Sequence, residues 1–201
     1  SKHLIVLNKS GCLMSINVDE ETPIVLWKVD LRGRERSYDP SSYKYEFMAT
    51  PVLHNDFIYV AGIKMVHIVD LSSGAIISSL PCLDGLSEDY FETPLVFDAE
   101  DPGGETFYLV SRSGRAFKYN GVSVEAYDND LGLSQSPPLL DADGHVYFVT
   151  KRGNQTKLSF VEQNNRAEET FSDNMTVVDL THEDGVSNIK SSILTDFTKY
   201  K

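Results

Sequence analysis

The sequence predicts an all-β, β-propeller-like fold: about four blades of four antiparallel strands, in a partial or distorted propeller. Three observations predict it. Four segments repeat one order of strand, tight turn, strand, polar turn, strand. Three of them follow a Ser/Thr-Pro start at a constant spacing. No helical hydrophobic period runs through any unit. Repetition every ~40–50 residues with four strands per unit is the signature of a propeller blade. A β-sandwich also spaces its strands evenly, but its strands need not repeat in sequence.

The repeating segments begin at His3, Asp56, Glu105 and His145. Each opens with a short strand of aromatic and β-branched residues: Ile58-Tyr-Val60, Phe107-Tyr-Leu-Val110 and Val146-Tyr-Phe-Val149 in the last three. Such residues favour a pleated, packed surface. Tight turns follow at Lys9-Ser-Gly11, Ile63-Lys-Met65, Arg112-Ser-Gly114 and Lys151-Arg-Gly153, then a period-2 strand. Polar turns close the second hairpins at Asp19–Thr22, Ser72-Ser-Gly74, Asn120-Gly121 and Gln163–Asn165. These are the residues that hairpin connections select.

A leading strand precedes the last three units, at 49–53, 92–96 and 135–140. Its prolines Pro51, Pro94 and Pro137 lie 43 residues apart each time. Proline is tolerated at the start of a strand, where no ladder hydrogen bond is lost. The expected organisation is one domain over 1–201, with units at approximately 1–48, 49–91, 92–134 and 135–189 and a terminal strand at 190–201. The first unit begins at its second strand. The tail, from Lys190 to Tyr200, reads as a leading strand with no blade after it. The chain is therefore expected to be a slice of a longer propeller, or a small ring closed by its own tail. Open sheet edges in a slice would invite pairing with another segment or another copy.

Ser10-Gly-Cys-Leu-Met-Ser-Ile16 with Val25-Leu-Trp-Lys28, and Thr50-Pro-Val52, Ile58-Tyr-Val60 and Ile68-Val-Asp-Leu-Ser-Ser-Gly74, resemble the pyrroloquinoline-quinone-like (quinoprotein) repeat. The third and fourth units join through Tyr108, Ser113-Gly114, Ser136-Pro137 and Val146-Tyr147. In that family a tryptophan ending each blade docks it on the next. Here Trp27 alone holds that position, and Ser78–Leu80, Ala126-Tyr127 and Thr170-Phe171 end the other units. Trp27, Pro51, Pro94 and Pro137 are the expected structural docking residues. The resemblance implies a degenerate or partial member, similar to non-catalytic relatives such as luminal domains of stress-sensing kinases or outer-membrane assembly scaffolds. A quinone-dependent dehydrogenase would need vicinal cysteines, Ca²⁺ ligands and an Asp base. The chain has two cysteines, Cys12 and Cys82, far apart, and one tryptophan. The expectation is no cofactor, no enzyme activity, no catalytic residues and no metal.

The formal charge of −12 argues against nucleic acid and anionic lipid, both of which need a basic face. No apolar run is long enough for direct membrane insertion. Sequons at Asn8, Asn154 and Asn174 are compatible with an extracytoplasmic location (the ER lumen, a periplasm or the cell exterior) rather than the cytoplasm. The five histidines lack metal spacing and read as solvent or hairpin residues. Asp141-Ala-Asp-Gly144 resembles a Ca²⁺ loop but lacks its fifth- and twelfth-position ligands, so a hairpin turn explains it better. The connectors Asp84–Tyr90 and Asn164–Asp173 read as flexible.

The most informative surface is the connector Leu31–Phe47, which gathers Arg32, Arg34 and Arg36, then Tyr38, Tyr43 and Tyr45, in an acidic chain. Arginine and tyrosine combine fixed donors with flat area and are enriched at binding hot spots. The six are the expected partner-binding residues. The expected function is a non-catalytic scaffold binding protein or peptide, able to form a homo-oligomer through open edges. The alternatives are a luminal or extracellular sensor domain of a membrane receptor and a degenerate quinone-dependent dehydrogenase.

Overall fold

The computed structural model describes residues 2–19, 21–84, 87–99, 101, 103–127, 132–141, 145–152, 155–161 and 175–179. The first sheet has three antiparallel strands in sequence order: β1 (His3–Leu7), β2 (Cys12–Asn17) and β3 (Ile24–Asp30). The second has four: β4 (Val52–His54), β5 (Phe57–Ala61), β6 (Met65–Asp70) and β7 (Ile76–Pro81). The third repeats this with β8 (Val96–Phe97), β9 (Thr106–Val110), β10 (Ala116–Asn120) and β11 (Val124–Tyr127). The fourth contains β12 (Leu139–Leu140), β13 (Val146–Arg152), β14 (Gln155–Val161) and β15 (Met175–Asp179). Each sheet is an up-and-down meander, so the architecture is all-β and propeller-like. No described strand joins the first sheet to the fourth. The expected terminal strand at 190–201 lies outside the described residues, as do Asn154, Asn164–Asp173 and Asn174.

The repeat is visible in register. Tyr59, Tyr108 and Tyr147 lie opposite Val52, Val96 and Leu139 on the short leading strands. Pro51 directly precedes β4, and Pro94 and Pro137 stand two residues before β8 and β12. A register shift falls after Ser15 in the β2–β3 ladder and after Ile68 in the β6–β7 ladder. That irregularity places Trp27, opposite Ser15, in the same position as Ser78, opposite Ile68.

The cores lie between sheets. Ile58, Val60 and Val69 pack with Leu13, Leu31 and Phe47 from the first unit. The alternate residues Tyr59, Ala61 and Val66 pack with Leu95, Phe107, Leu109 and Phe117 of the third sheet. Tyr108, Val110 and Ala116 face Val146 and Phe148 of the fourth. A strand buried on both faces must be apolar throughout, which explains the unbroken runs in β5 and β9.

Trp27 contacts the second sheet. Its indole Nε1 donates to Leu71 O at 2.9 Å, joining the first sheet to the β6–β7 turn. The ring lies against Gly74, where an added Cβ would sit 2.5 Å from Trp27 Cδ2 and the backbone φ is +71°. Where the second sheet has Ser78 instead, other aromatics make the contact with the third. His54 stacks on Phe97 at 3.8 Å, and Tyr59 meets Phe97 and Phe107 edge-on.

Between β3 and β4 the connector forms a short helix, α1 (Arg32–Tyr38), and a 3₁₀ turn at Pro40–Lys44. This helix is a departure from the all-strand reading. It has no apolar period; instead Asp30 Oδ1 accepts from Arg32 N at 3.0 Å and Glu35 is buried. Asp39 caps the 3₁₀ turn by accepting from Ser41 N at 2.8 Å, with Pro40 following as its first residue.

Candidate functional site

The connectors are tied to the turns of the sheets on either side by a repeated hydrogen-bond scheme. Each one returns across the inner turn of its own unit: Phe47 N donates to Lys9 O, Phe91 N to Ile63 O and Ser134 N to Arg112 O. A carboxylate from two of them also caps the corresponding turn of the next unit. Glu35 accepts from Ile63 N at 2.8 Å and Lys64 N at 3.0 Å. Asp89 accepts from Ser113 N at 2.9 Å and from the hydroxyls of Ser111 and Ser113. The Asp84–Tyr90 connector, expected to be flexible, is thus pinned at Asp89. Lys64 reinforces it by donating from Nζ to Ser87 O at 2.5 Å and to Asp89 O. Burial pushes the Lys64 ammonium pKa down.

Glu35 also meets Nε2 of His67 at 3.1 Å, with both side chains fully buried. Nδ1 of His67 lies 2.9 Å from Ser79 Oγ, directly across the β6–β7 ladder. His67 is therefore not the solvent or hairpin residue that its isolation in sequence implied. It is an interior link whose two nitrogens are both partnered, as burial requires. Gly62 makes the approach of Glu35 feasible, because a Cβ there would stand 2.2 Å from Glu35 Oε1. The line Ser79–His67–Glu35 fastens α1 against the second sheet.

The six partner-binding candidates separate into distinct environments. Arg32 is only 8% exposed. Its guanidinium donates to the backbone carbonyls of Ser10, Lys9, Ser42 and Tyr45 at 2.8–3.2 Å. Those bonds make it an internal clamp, and its charge is not offered to a partner. Tyr45 is half-buried and stacks on Tyr90 at 4.7 Å. The side chain of Tyr43 lies outside the described residues. Arg34, Arg36 and Tyr38 remain at the surface. Tyr38 donates its hydroxyl to Leu83 O at 2.8 Å, and the residue is 39% exposed.

Arg34 and Tyr38, one helical turn apart on the same side of α1, form one wall of an open cleft of about 420 Å³. Ile76, Ile77, Ser78 and Ser79 of β7 form the other wall, with Ser37 and Met65 completing the lining. Among the described residues no carboxylate lines the cleft, although the chain carries 30 Asp and Glu residues. Of the six residues singled out in the sequence, Arg34 and Tyr38 line this cleft. Sequence reasoning missed β7, whose Ile76-Ile-Ser-Ser-Leu-Pro81 reads as an ordinary outer strand; the available signal was its lack of any charge.

Two further turns are held by carboxylates. Asp101 accepts from the backbone N–H groups of Gly103, Glu105 and Thr106, and these bonds, led by that from Thr106, lower its pKa to about 2. Asp141 accepts from His145 N at 2.9 Å and from the Tyr147 hydroxyl at 2.7 Å, which is a turn anchor's role. The residues 142–144 of the Ca²⁺-loop resemblance lie outside the described residues.

No family model matches the chain, and no curated protein matches it by sequence. Among solved structures it is similar to BamB from Moraxella catarrhalis, at 12% identity and a TM-score of 0.48 over 80% of this chain. A europium-containing methanol dehydrogenase gives 10% identity and a TM-score of 0.46 over 81%. Hydrazine synthase of Kuenenia stuttgartiensis gives 14% and 0.49 over 79%. The chain spans 57%, 34% and 45% of the lengths of those three chains. The fold assignment rests on the succession of antiparallel four-stranded meanders in this chain.

Proposed function

We propose that the chain is a binding module, in which stacked sheets hold the outer face of α1 and β7 ready for a protein or peptide partner. The carrying observation is the open cleft of about 420 Å³, bounded by Arg34 and Tyr38 and free of carboxylates on a strongly acidic chain. An exposed arginine beside an exposed aromatic ring and apolar strand residues is the composition of a recognition surface. The action is binding, without redox chemistry. Reconstitution with pyrroloquinoline quinone and Ca²⁺ that produced dye-linked alcohol oxidation would overturn that part.

The direct test is affinity capture from an extracytoplasmic extract with the chain and its Arg34→Glu/Arg36→Glu variant, using Glu125→Lys as a surface-charge control. A partner retained by the chain and the control but lost by the double variant supports the reading. Identical captured sets for all three refute it.

A second reading, self-association within a luminal or extracellular sensor, draws on β1. Among the described residues the first sheet has three strands where the others have four, and no described strand pairs with β1 on the side away from β2. Exposed strand edges template pairing. Sedimentation velocity across a concentration series tests it. A concentration-dependent dimer abolished by Ile5→Pro, whose N–H faces away from β2, with unchanged secondary structure, supports this reading; a monomer throughout removes it.

A further inference from the structure

The outer edge of β7 is the surface whose properties point to a particular ligand. Outer strands normally carry charges that discourage addition of another strand. β3 contains Lys28 and Asp30, β11 contains Glu125 and β15 contains Asp179. β7 contains no charged residue over its six positions; its edge-blunting features are the register shift at Ile77 and the terminal Pro81, which leave Ser78 and Ser79 between them, and Ile77 is 58% exposed. Its only described ladder partner is β6, so its other edge offers unpaired backbone groups. Beside that edge is a cleft and not a packed wall, and across the cleft stands α1. Trp27 reaches the β6–β7 turn, where Ile76 packs against the same apolar cluster, while the next residue, Ile77, stays exposed.

The electrostatics select among extended segments. Arg34 is the only charged residue lining the cleft and has no side-chain partner among the described residues. Arg36, two positions along the helix, is not in the lining, and Arg32 is consumed by its four carbonyls. The cleft therefore has a net positive lining on a chain of formal charge −12. A carboxylate there would meet a cation without a competing acid, and the fork of Arg34 suits a carboxylate geometrically.

We infer that the cleft binds an extended acidic peptide segment of a partner protein, which adds to β7 as a further strand and places an Asp or Glu carboxylate on Arg34. Main-chain hydrogen bonds to the strand edge supply affinity, and Arg34 with the apolar Ile77 supplies selectivity. This rests on the binding-module reading and deepens it by naming the ligand chemistry.

Selection from a displayed library of random decapeptides, followed by fluorescence polarisation of the enriched peptides, tests the inference. The expected peptides are rich in β-branched residues with an Asp or Glu. Arg34→Glu weakens them by about tenfold or more, as expected for a charge-assisted hydrogen bond, and replacing their acid with Lys restores binding to that variant. N-methylation of alternate peptide nitrogens abolishes binding in one register and not in the other. Ile77→Lys, which places a charge on an exposed strand position without disturbing the interior, also removes it. Peptides with no acidic preference, or binding indifferent to both N-methylation and Ile77→Lys, overturn the inference. If such indifferent peptides still depend on Arg36 or Tyr38, the binding-module reading survives while strand addition falls. If no peptide is enriched and no partner is captured, both fall.

Discussion

The contact between Trp27 and Gly74 makes a quantitative prediction about how the first two sheets are joined. Gly74 combines a φ of +71° with a Cβ position 2.5, 2.6 and 2.9 Å from three indole atoms. Gly74→Ala therefore incurs two separable costs. The left-handed backbone costs an alanine about 1–2 kcal/mol whatever surrounds it. The clash displaces the indole, forfeiting the 2.9 Å bond to Leu71 O and part of its packing. That adds about 2 kcal/mol, from about 1 for the hydrogen bond and about 1 for overpacking. Trp27→Ala alone, removing a half-buried ring, costs about 2–3 kcal/mol, below the fully buried range. In the Trp27→Ala background only the backbone cost of Gly74→Ala remains. The double-mutant cycle should thus show a coupling of about 2 kcal/mol. Urea unfolding followed by far-UV circular dichroism measures it, since Trp27 is the single tryptophan and its loss removes the fluorescence signal. Additivity within about 0.5 kcal/mol would refute the docking contact as the reason for glycine.

Glu35→Ala should destabilise the chain by about 3–5 kcal/mol in urea unfolding, because two buried amides and His67 lose their acceptor; a loss below about 1 kcal/mol would refute the capping role. Arg32→Lys should cost about 2–3 kcal/mol by the same measurement, since an ammonium cannot span all four carbonyls that the guanidinium reaches. Asp101 should titrate near pH 2 in a carboxyl-resolved NMR experiment. Its pKa is depressed on folding, so its stabilisation is present above the unfolded value of about 4 and is lost as pH falls toward about 2. Asp101→Asn should flatten acid unfolding in that window. Burial pushes the Cys82 thiol up to about 12. At pH 8 only about one molecule in ten thousand would present its thiolate, so iodoacetamide should label Cys82 in the native chain far more slowly than in urea.

The strands were legible because their sequence signal is local. Ile58-Tyr-Val60 and Phe107-Tyr-Leu-Val110 are apolar at successive positions, as strands between two cores must be. Trp27 was legible because its place after a Ser-Gly-x-Leu turn and an alternating strand matches a repeat with a known docking position. The helix α1 was not, because Arg32–Tyr38 has Gly33, no apolar stripe, and charges whose partners lie elsewhere in the chain. Glu35 finds its amides 28 and 29 residues away, and Asp89 finds Ser113 24 residues away. Such distances leave no spacing rule to read. The same blindness affected the candidate site. Arg32 and Arg34 look alike in sequence, but the carbonyls that gather around one turn it inward and leave the other to the cleft.

Because the apolar residues lie between neighbouring sheets, the hydrophobic walls are held in common, and no sheet owns one outright. Detaching β1–β3 would strip water-excluding cover from Ile58, Val60 and Val69 while leaving every hydrogen bond of the second sheet's own ladder intact. The smallest piece able to fold alone is accordingly a neighbouring pair with its connector, and a single excised meander should aggregate. Damage to one wall should loosen the two sheets that share it before it reaches the next. Hydrogen exchange after Trp27→Ala should therefore rise in β2, β3, β6 and β7 while β9 and β10 keep their protection.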